Sequence, residues 1–330
     1  MVPAEATLIL TVLNEGSSIG GFLETLGAQT VVPREIVVVD GGSTDNTVEQ
    51  LAAWNAPAGC QIRTLVRPGA NISEGRNEAI RHATSERVLV TDAGTTLSPD
   101  WVALMLEAFD RPESPDVVCG FFTATGESFI ERAIAHTITP TVSEIDPATF
   151  LPSSRSLGIT KAAWELAGGY PEWLDYCEDL VFDMKMKDLG LVFSFAGDAL
   201  VTWSARPNLM SYIKQYYRYA RGDGKAGLWR KRHVIRYTAY VIGVLLAIGM
   251  LSQPWLGFAL VAGAVAYMQK FWRRVVRSRS GSMASMVAEL ALVPVIVVAG
   301  DLAKMLGYPV GLRWRRVNSD LAGGIASGAE

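Results

Sequence analysis

Short apolar runs, rich in β-branched residues, recur through the first hundred positions, and each stops abruptly in polar or glycine residues. Leu8 to Leu13 gives way to Asn14-Glu15-Gly16, Ile36 to Val39 to Asp40-Gly41-Gly42-Ser43-Thr44-Asp45, and Val88 to Val90 to Thr91-Asp92-Ala93-Gly94. Runs of this kind read as strands buried in a sheet. Helical stretches separate them, at Gly20 to Ala28, Thr47 to Trp54 and Gly75 to Ala83. The alternation predicts βαβ units and a mainly parallel sheet from Thr7 to about Phe109. Ser43, Thr44 and Asp45 before the second helix, and Ser73 in the third, are expected N-terminal caps. In an open α/β sheet ligands bind at the carboxyl ends of the strands. Carboxylates, amides and glycines gathered at three such ends suit a phosphorylated, nucleotide-like ligand held with a hard divalent cation.

Beyond Arg111 the pattern loses its period. Pro112, Pro115, Pro140, Pro147 and Pro152 suggest a long loop region with a short helix near Ile130. A new block starts at Ser153, with a turn at Gly168-Gly169-Tyr170-Pro171. Glu178-Asp179 then leads into a helix over Leu180 to Leu189, and Val192 to Phe195 and Ala199 to Trp203 are expected as closing strands.

Three apolar segments close the chain, at Val234 to Ser252, Pro254 to Phe271 and Met286 to Leu306. The first two are about long enough to cross a hydrocarbon core of ~30 Å, with a turn at Ser252-Gln253-Pro254. The third carries Glu289 and Asp301, so a membrane-associated or re-entrant helix is expected there, with three full spans as the alternative. The composition supports a membrane. Apolar residues make up 49% of the 330 positions, and the net charge of −3 hides an asymmetry. Residues 230–330 hold 13 Lys+Arg against 4 Asp+Glu, leaving 17 against 29 for residues 1–229. Basic clusters border the apolar segments at Arg230-Lys231-Arg232, at Lys270, Arg273, Arg274, Arg277 and Arg279, and at Arg313, Arg315 and Arg316. They read as membrane anchoring under the positive-inside rule rather than as a nucleic-acid surface. The first thirteen residues show no signal peptide, so the acidic head is expected in the cytoplasm. Cys60, Cys119 and Cys177 form no CxxC pair, which argues against a disulfide framework or zinc site.

The ordered set Thr11 to Glu15 (TVLNE), Val37 to Asp45 (VVVDGGSTD), Ser73 to Ile80 (SEGRNEAI), the DxD-like Asp92-Ala93-Gly94, Glu178-Asp179 and Gln215 to Gly222 (QYYRYARG) resembles the inverting family 2 glycosyltransferases over roughly residues 6–225. The resemblance implies an α/β, GT-A-type, Rossmann-like nucleotide-diphospho-sugar transferase domain at 1–228 and a membrane region with two or three transmembrane helices at 229–330. It implies that Asp40, with Asn14, Glu15 and Thr11, receives the nucleotide base and ribose, and that Asp45, Arg76, Asn77, Asp92 and Gly94 complete the nucleotide-sugar pocket. Asp92 would contact Mg²⁺ or Mn²⁺, although Gly94 stands where the family has its second acid. Asp179 would be the general base and Glu178 a poorer candidate. Gln215, Arg218 and Arg221 fall on one helix face and resemble the QxxRW cation motif that stabilises the leaving diphosphate, with Tyr219 in place of Trp. Arg155, Gly169, Tyr170 and Trp173, between the metal motif and the base, are expected to line the acceptor cleft.

The expected activity is inverting transfer from a nucleotide sugar, with a UDP-sugar as the expected donor, to a hydroxyl of a lipid-linked or polymeric acceptor. The expected location is the plasma or inner membrane, multi-pass, with the catalytic domain cytoplasmic. Two alternatives stand beside this: a polyprenyl-phosphate sugar synthase and a non-catalytic nucleotide-sugar-binding membrane protein. A sugar nucleotidylyltransferase is disfavoured because Thr11 to Gly16 holds no Lys or Arg. Ser154 lacks a G-x-S-x-G context, which leaves serine hydrolase chemistry unsupported.

Overall fold

The computed structural model describes residues 3–278 and 281–322, so Arg279 of the second basic cluster lies outside the described residues. The chain divides into two compact units, residues 3–123 with 141–204, and residues 124–140 with 205–322.

The first unit opens with β1 (Ala4–Val12), α1 (Ile19–Gly27), β2 (Pro33–Asp40), α2 (Thr47–Ala53), β3 (Gln61–Val66), α3 (Ile72–His82) and β4 (Arg87–Val90). β1 pairs in parallel with β2 and β4, and β2 in parallel with β3. Side chains of a strand alternate between faces. Leu8, Leu10 and Val12 therefore enter one core with Phe22, Trp101 and Met105, while Ile9 enters the other with Val39, Ile80 and Phe182. Burial on both faces explains why these strands read as unbroken apolar runs.

The chain continues through β5 (Thr95–Leu97), α4 (Trp101–Phe109), β6 (Val117–Thr125), α5 (Phe129–Ile138), β7 (Leu157–Thr160), α6 (Lys161–Ala167), α7 (Glu178–Asp188) and β8 (Phe193–Ser204). The strands form one eight-stranded sheet in the order β3-β2-β1-β4-β7-β6-β8-β5. β7 runs antiparallel to β4 and β6, and β5 antiparallel to β8, so the sheet is mixed beyond β4.

Three local expectations are corrected. The segment expected as loop contains β6, because its prolines flank the apolar run Val117 to Phe122 instead of entering it. Gly120 lets β6 approach its neighbours, since a Cβ there would meet Ser156 Oγ at 2.0 Å and the Ala199 carbonyl at 3.0 Å. The two closing strands are one, β8, which runs through Gly197-Asp198 without a break. The caps also move. Asn71, not Ser73, caps α3 in a reciprocal box with Glu74, and Asn46 precedes α2 without a side-chain cap.

The second unit holds α5, α8 (Leu209–Ala226), α9 (Arg230–Gly249), α10 (Leu256–Ser278) and α11 (Met283–Val317). Ser252-Gln253-Pro254 turns between α9 and α10 as expected. Glu289 and Asp301 do not shorten the third apolar segment. Glu289 is buried against Arg132 Nε at 2.8 Å, and Asp301 accepts from Arg236 Nε and Tyr267 Oη, both at 2.8 Å. With both charges paired, α11 continues for 35 residues, and among the described residues it is the one helix long and apolar enough to cross a membrane by length and composition.

α8 and α11 meet backbone to backbone. A Cβ on Gly307 would lie 2.2 Å from the Tyr217 carbonyl, and one on Gly311 would lie 2.1 Å from the Arg221 carbonyl. Gly307 and Gly311 form a G-x-x-x-G pair, the spacing by which small residues let helices touch in membranes. We expect Gly311→Leu to separate α8 from α11 and to destabilise the unit by on the order of 1–3 kcal/mol, as overpacking does. A fall in the melting temperature of the detergent-solubilised protein checks this; an unchanged value contradicts it.

Candidate active site

The strand ends assemble first. Asn14, at φ 55°, leaves β1 in a left-handed turn; its N–H donates to Ser43 Oγ at 2.8 Å and its Oδ1 accepts from the Thr44 N–H at 2.8 Å. Asp45 accepts from the Gly16 N–H at 2.9 Å and from Thr47, so it ties the loop after β1 to the start of α2. Asp40, fully buried at the end of β2, accepts from the Gly42 and Ser43 N–H groups, both at 3.0 Å. Beside these ends lies a cavity of about 220 Å³ lined by Thr11, Leu13, Glu15, Val39, Gly41 and Gly75 among others. Gly75 keeps it open on one side, because a Cβ there would meet Thr11 Cγ2 at 2.9 Å.

Arg76 joins the parts. The cap at Asn71 sets the start of α3, and Arg76 follows one turn later with its side chain only 4% exposed. One guanidinium nitrogen donates to Asp92 Oδ1 at 2.9 Å and the other to Glu178 Oε1 at 2.8 Å. A single buried cation thus brings the end of β4 to the start of α7. Burial opposes ionisation of Asp92, but Arg76 and then Arg155 overcome it and hold the carboxyl below its ordinary range. Glu178 goes the other way: burial and the adjacent Asp179 outweigh Arg76 and push it up to about 7.

Asp179, the expected base, is half-buried in the first turn of α7. Its Oδ1 accepts from the Leu180 N–H at 2.9 Å, and Ser153 Oγ lies 3.5 Å from its Oδ2. Cys177, at φ 65°, turns the chain sharply into this helix.

Several expected residues have other duties in the described structure. The Asn77 amide donates to the Tyr170 carbonyl and to Glu172, and its Oδ1 accepts from the Tyr170 N–H and Trp164 Nε1, so it pins the turn after α6. Gly169 occupies φ 77° in that turn. Tyr170 is buried against Phe182, with ring centroids 4.2 Å apart, and shares a hydrogen bond with Ser154 at 2.9 Å. Trp173 is half-buried. Gln215, Arg218 and Arg221 all lie on α8 in the second unit, where Gln215 Nε2 donates to Tyr219 Oη at 2.8 Å.

With this geometry in view, the relatives become informative. Residues 7–164 match the family described as "Glycosyl transferase family 2". These residues are a family 2 glycosyltransferase domain. The chain is 27% identical over 165 residues to the chondroitin synthase of Pasteurella multocida (strain Pm70), a match covering 49% of this chain but only 17% of the synthase. It is 24% identical over 238 residues to the succinoglycan biosynthesis protein ExoA of Rhizobium meliloti (strain 1021), covering 68% of this chain and 71% of ExoA. Among solved structures, the mannosyltransferase PcManGT from Pyrobaculum calidifontis aligns with a TM-score of 0.55 at 17% identity, covering 97% of this chain and 88% of that one. That likeness establishes the GT-A-like fold.

For a divalent cation the family 2 domain offers a thin donor set. Asp92 Oδ1 is held by Arg76, Gly94 adds no side-chain oxygen, and no group of three His, Cys, Asp or Glu gathers among the described residues. What remains is Asp92 Oδ2, itself 3.5 Å from Arg155 Nε, with Glu15 Oε2 at 4.0 Å from the position a Gly94 Cβ would take. Such a set fits a cation that draws most of its ligands from phosphate and water, as Mg²⁺ commonly does.

One residue beside Asp179 escaped the sequence reading although it left a signal: Asp183 follows Asp179 by one helical turn. It is fully buried, and neither carboxylate oxygen has a hydrogen-bond partner among the described residues. Burial, then Asp179, holds its carboxyl protonated far above the ordinary value of 3.8. The unfolded chain releases that proton above about pH 4 while the folded chain keeps it, so stability falls as pH rises, by about 1.4 kcal/mol per unit. Asp183→Asn removes this slope. The melting temperature of the variant relative to wild type should rise as the pH increases above about 4, the range in which the unfolded carboxyl ionises and the folded one stays protonated; a constant difference contradicts the assignment.

Proposed function

We propose that this protein is a membrane-anchored inverting glycosyltransferase that moves a sugar from a nucleotide donor, with UDP as the nucleotide, to a hydroxyl of a lipid-linked or polysaccharide acceptor. The observation that carries the proposal is Arg76, which joins the DxD-like Asp92 to the Glu178-Asp179 pair within one buried cluster. The nucleotide lies in the cavity at the ends of β1 and β2, with Thr11, Asn14, Glu15 and Asp40 around base and ribose, and its diphosphate reaches toward Asp92. Asp92 would hold Mg²⁺ or Mn²⁺, and such an ion, when bound, would supply positive charge for the leaving diphosphate. PcManGT, which shares the fold, is known in complex with GDP-Man and Mn²⁺.

The acceptor hydroxyl attacks the anomeric carbon from the side opposite the diphosphate. Asp179 takes the hydroxyl proton as the new C–O bond forms, the bond from the anomeric carbon to the phosphate oxygen breaks, and nucleoside diphosphate departs with that electron pair. A single displacement inverts the centre. General-base catalysis of this kind contributes typically 10²–10⁴-fold.

The membrane reading rests on the second unit. Ile235, Val241, Leu245, Ile248, Phe258 and Val261 on α9 and α10 are each at least half exposed, an amount of bare apolar side chain that water does not favour. α9, with 20 residues, spans about 30 Å at ~1.5 Å per residue. α11 crosses the membrane, and the apolar hairpin of α9 and α10 lies in it beside α11, with Arg230 to Arg232 and Arg273 to Arg277 on the cytoplasmic side. ExoA, a succinoglycan biosynthesis protein, matches over most of both chains and favours an envelope glycan as product.

The test is release of nucleoside diphosphate by the detergent-purified protein across a panel of nucleotide sugars, with Mn²⁺ and a membrane lipid extract. One donor should turn over in a lipid-dependent manner. Donor binding without turnover in the presence of extract would favour a non-catalytic nucleotide-sugar-binding protein.

A further inference from the structure

Asp301 sits within the apolar run of α11, and both of its oxygens are occupied. Arg236 Nε, from α9, donates to Oδ1 at 2.8 Å, while Oδ2 accepts from Tyr267 Oη on α10 at 2.8 Å and from Tyr240 Oη on α9 at 3.4 Å. Lys304 stands one turn further along α11 and is left over. Its Nζ lies 3.9 Å from Asp301 Oδ1, beyond hydrogen-bond length, and 4.6 Å from the centroid of the Tyr216 ring on α8. Among the described residues this ammonium makes no hydrogen bond, and the side chain is 27% exposed.

The charges around it do not balance. The ionisable groups that bear most strongly on Lys304 are Asp301, Arg236, Asp223 and Lys270. Arg236 donates to His233 Nδ1 at 3.2 Å, which leaves His233 Nε2 as the N–H that faces Asp223 Oδ2 at 3.2 Å. Both acids are therefore bonded already. Lys270 Nζ lies over the Phe271 ring, 4.7 Å from its centroid, with no carboxylate in ion-pair reach among the described residues. Three cations thus face two engaged acids among apolar helices, where a charge is costly without a counter-charge.

The neighbouring surface suits a hydrocarbon chain. Arg236, Tyr240 and Val244 follow at spacing four on one face of α9, and Val244 is 57% exposed. On α10, one turn before Tyr267, a Cβ added to Gly263 would meet nothing within 4 Å. Both helices leave open apolar surface next to the polar cluster. Basic pockets between membrane helices hold lipid head groups in settings of this kind, and an ammonium receives phosphate as a point charge.

We propose that Lys304, with Lys270 as second cation, binds the phosphate of an anionic membrane lipid whose chain runs along the apolar faces of α9 and α10. The site rests on the membrane reading above and adds to it a specific lipid.

The test is native mass spectrometry of the full-length detergent-purified protein with phosphatidylglycerol, farnesyl phosphate, phosphatidylcholine or inorganic phosphate, using wild type, Lys304→Gln, Lys304→Arg and Arg313→Gln. Wild type should retain one phosphatidylglycerol or farnesyl phosphate in preference to phosphatidylcholine. Lys304→Gln should weaken that retention at least about 5-fold, the share of one basic residue beside an anionic head group, and Lys304→Arg should restore it. Arg313→Gln, which removes an exposed and screened charge, should stay within about two-fold of wild type. The melting temperature of Lys304→Gln without added lipid should not fall, because the lost ammonium is surplus; a fall would make it a structural partner of Asp301 and overturn the proposal. Equal retention in wild type and Lys304→Gln overturns it too, as does an equal loss in Arg313→Gln, which marks unspecific surface charge. Saturation by inorganic phosphate alone would assign the site to a free anion and remove the lipid. A wild type that stays monodisperse in buffer without detergent would sink the membrane reading itself, whatever Lys304 binds.

Discussion

Asp179→Asn should lower the turnover number for sugar transfer by roughly 10²–10⁴-fold while leaving nucleoside diphosphate affinity within a few-fold of wild type. Asparagine preserves the size of the side chain and its acceptance from the Leu180 N–H, but it cannot take a proton from an attacking hydroxyl. The split between turnover and binding is the informative part. A loss of both would mean that Asp179 organises the site, and full activity in the variant would favour the polyprenyl-phosphate alternative, whose ionised acceptor needs no base. Glu178→Gln serves as the contrast. Its partner Arg76 is buried, so this variant disturbs the pairing rather than the proton transfer.

Arg76→Met should have the largest effect on stability, about 3–5 kcal/mol. Removing one member of a buried ionic cluster leaves the others desolvated without a counter-charge. Asp92 and Glu178 both lose a direct partner, and Glu178, already pushed up to about 7, is driven further toward the neutral form. For a unit of this size, the melting temperature should drop by at least roughly 6 °C, and catalysis should be lost with it. A variant that keeps the wild-type melting temperature would show that Arg76 is not the link between the end of β4 and the start of α7.

Much of the first unit was legible because its signals are local. Leu8 to Leu13, Ile36 to Val39 and Val88 to Val90 are short apolar runs closed by turn residues, and each is a strand whose end helps form the site. β6 was missed for the opposite reason: Pro112 and Pro115 precede it, Pro140, Pro147 and Pro152 lie further along the same aperiodic stretch, and only the sheet partners β7 and β8 show that the apolar centre pairs. The place of Arg155 depends on strand register between β4 and β7, which no local pattern encodes. Asn77 and Tyr170 illustrate a related limit. Tertiary contacts make one a clamp on a turn and the other a core ring, duties that no local pattern announces. The tail was misjudged at Glu289 and Asp301 because a charge in an apolar run reads as an interruption, and its neutralisation by Arg132 and Arg236 comes from other helices.

The central claim is a single displacement at the anomeric carbon with Asp179 as base. It is tested most directly by the anomeric configuration of the first product formed from an α-linked UDP-sugar, read by proton NMR before any further turnover. The account predicts a β-linked product whose formation disappears in Asp179→Asn. An α-linked product, with the donor's configuration retained, would contradict it.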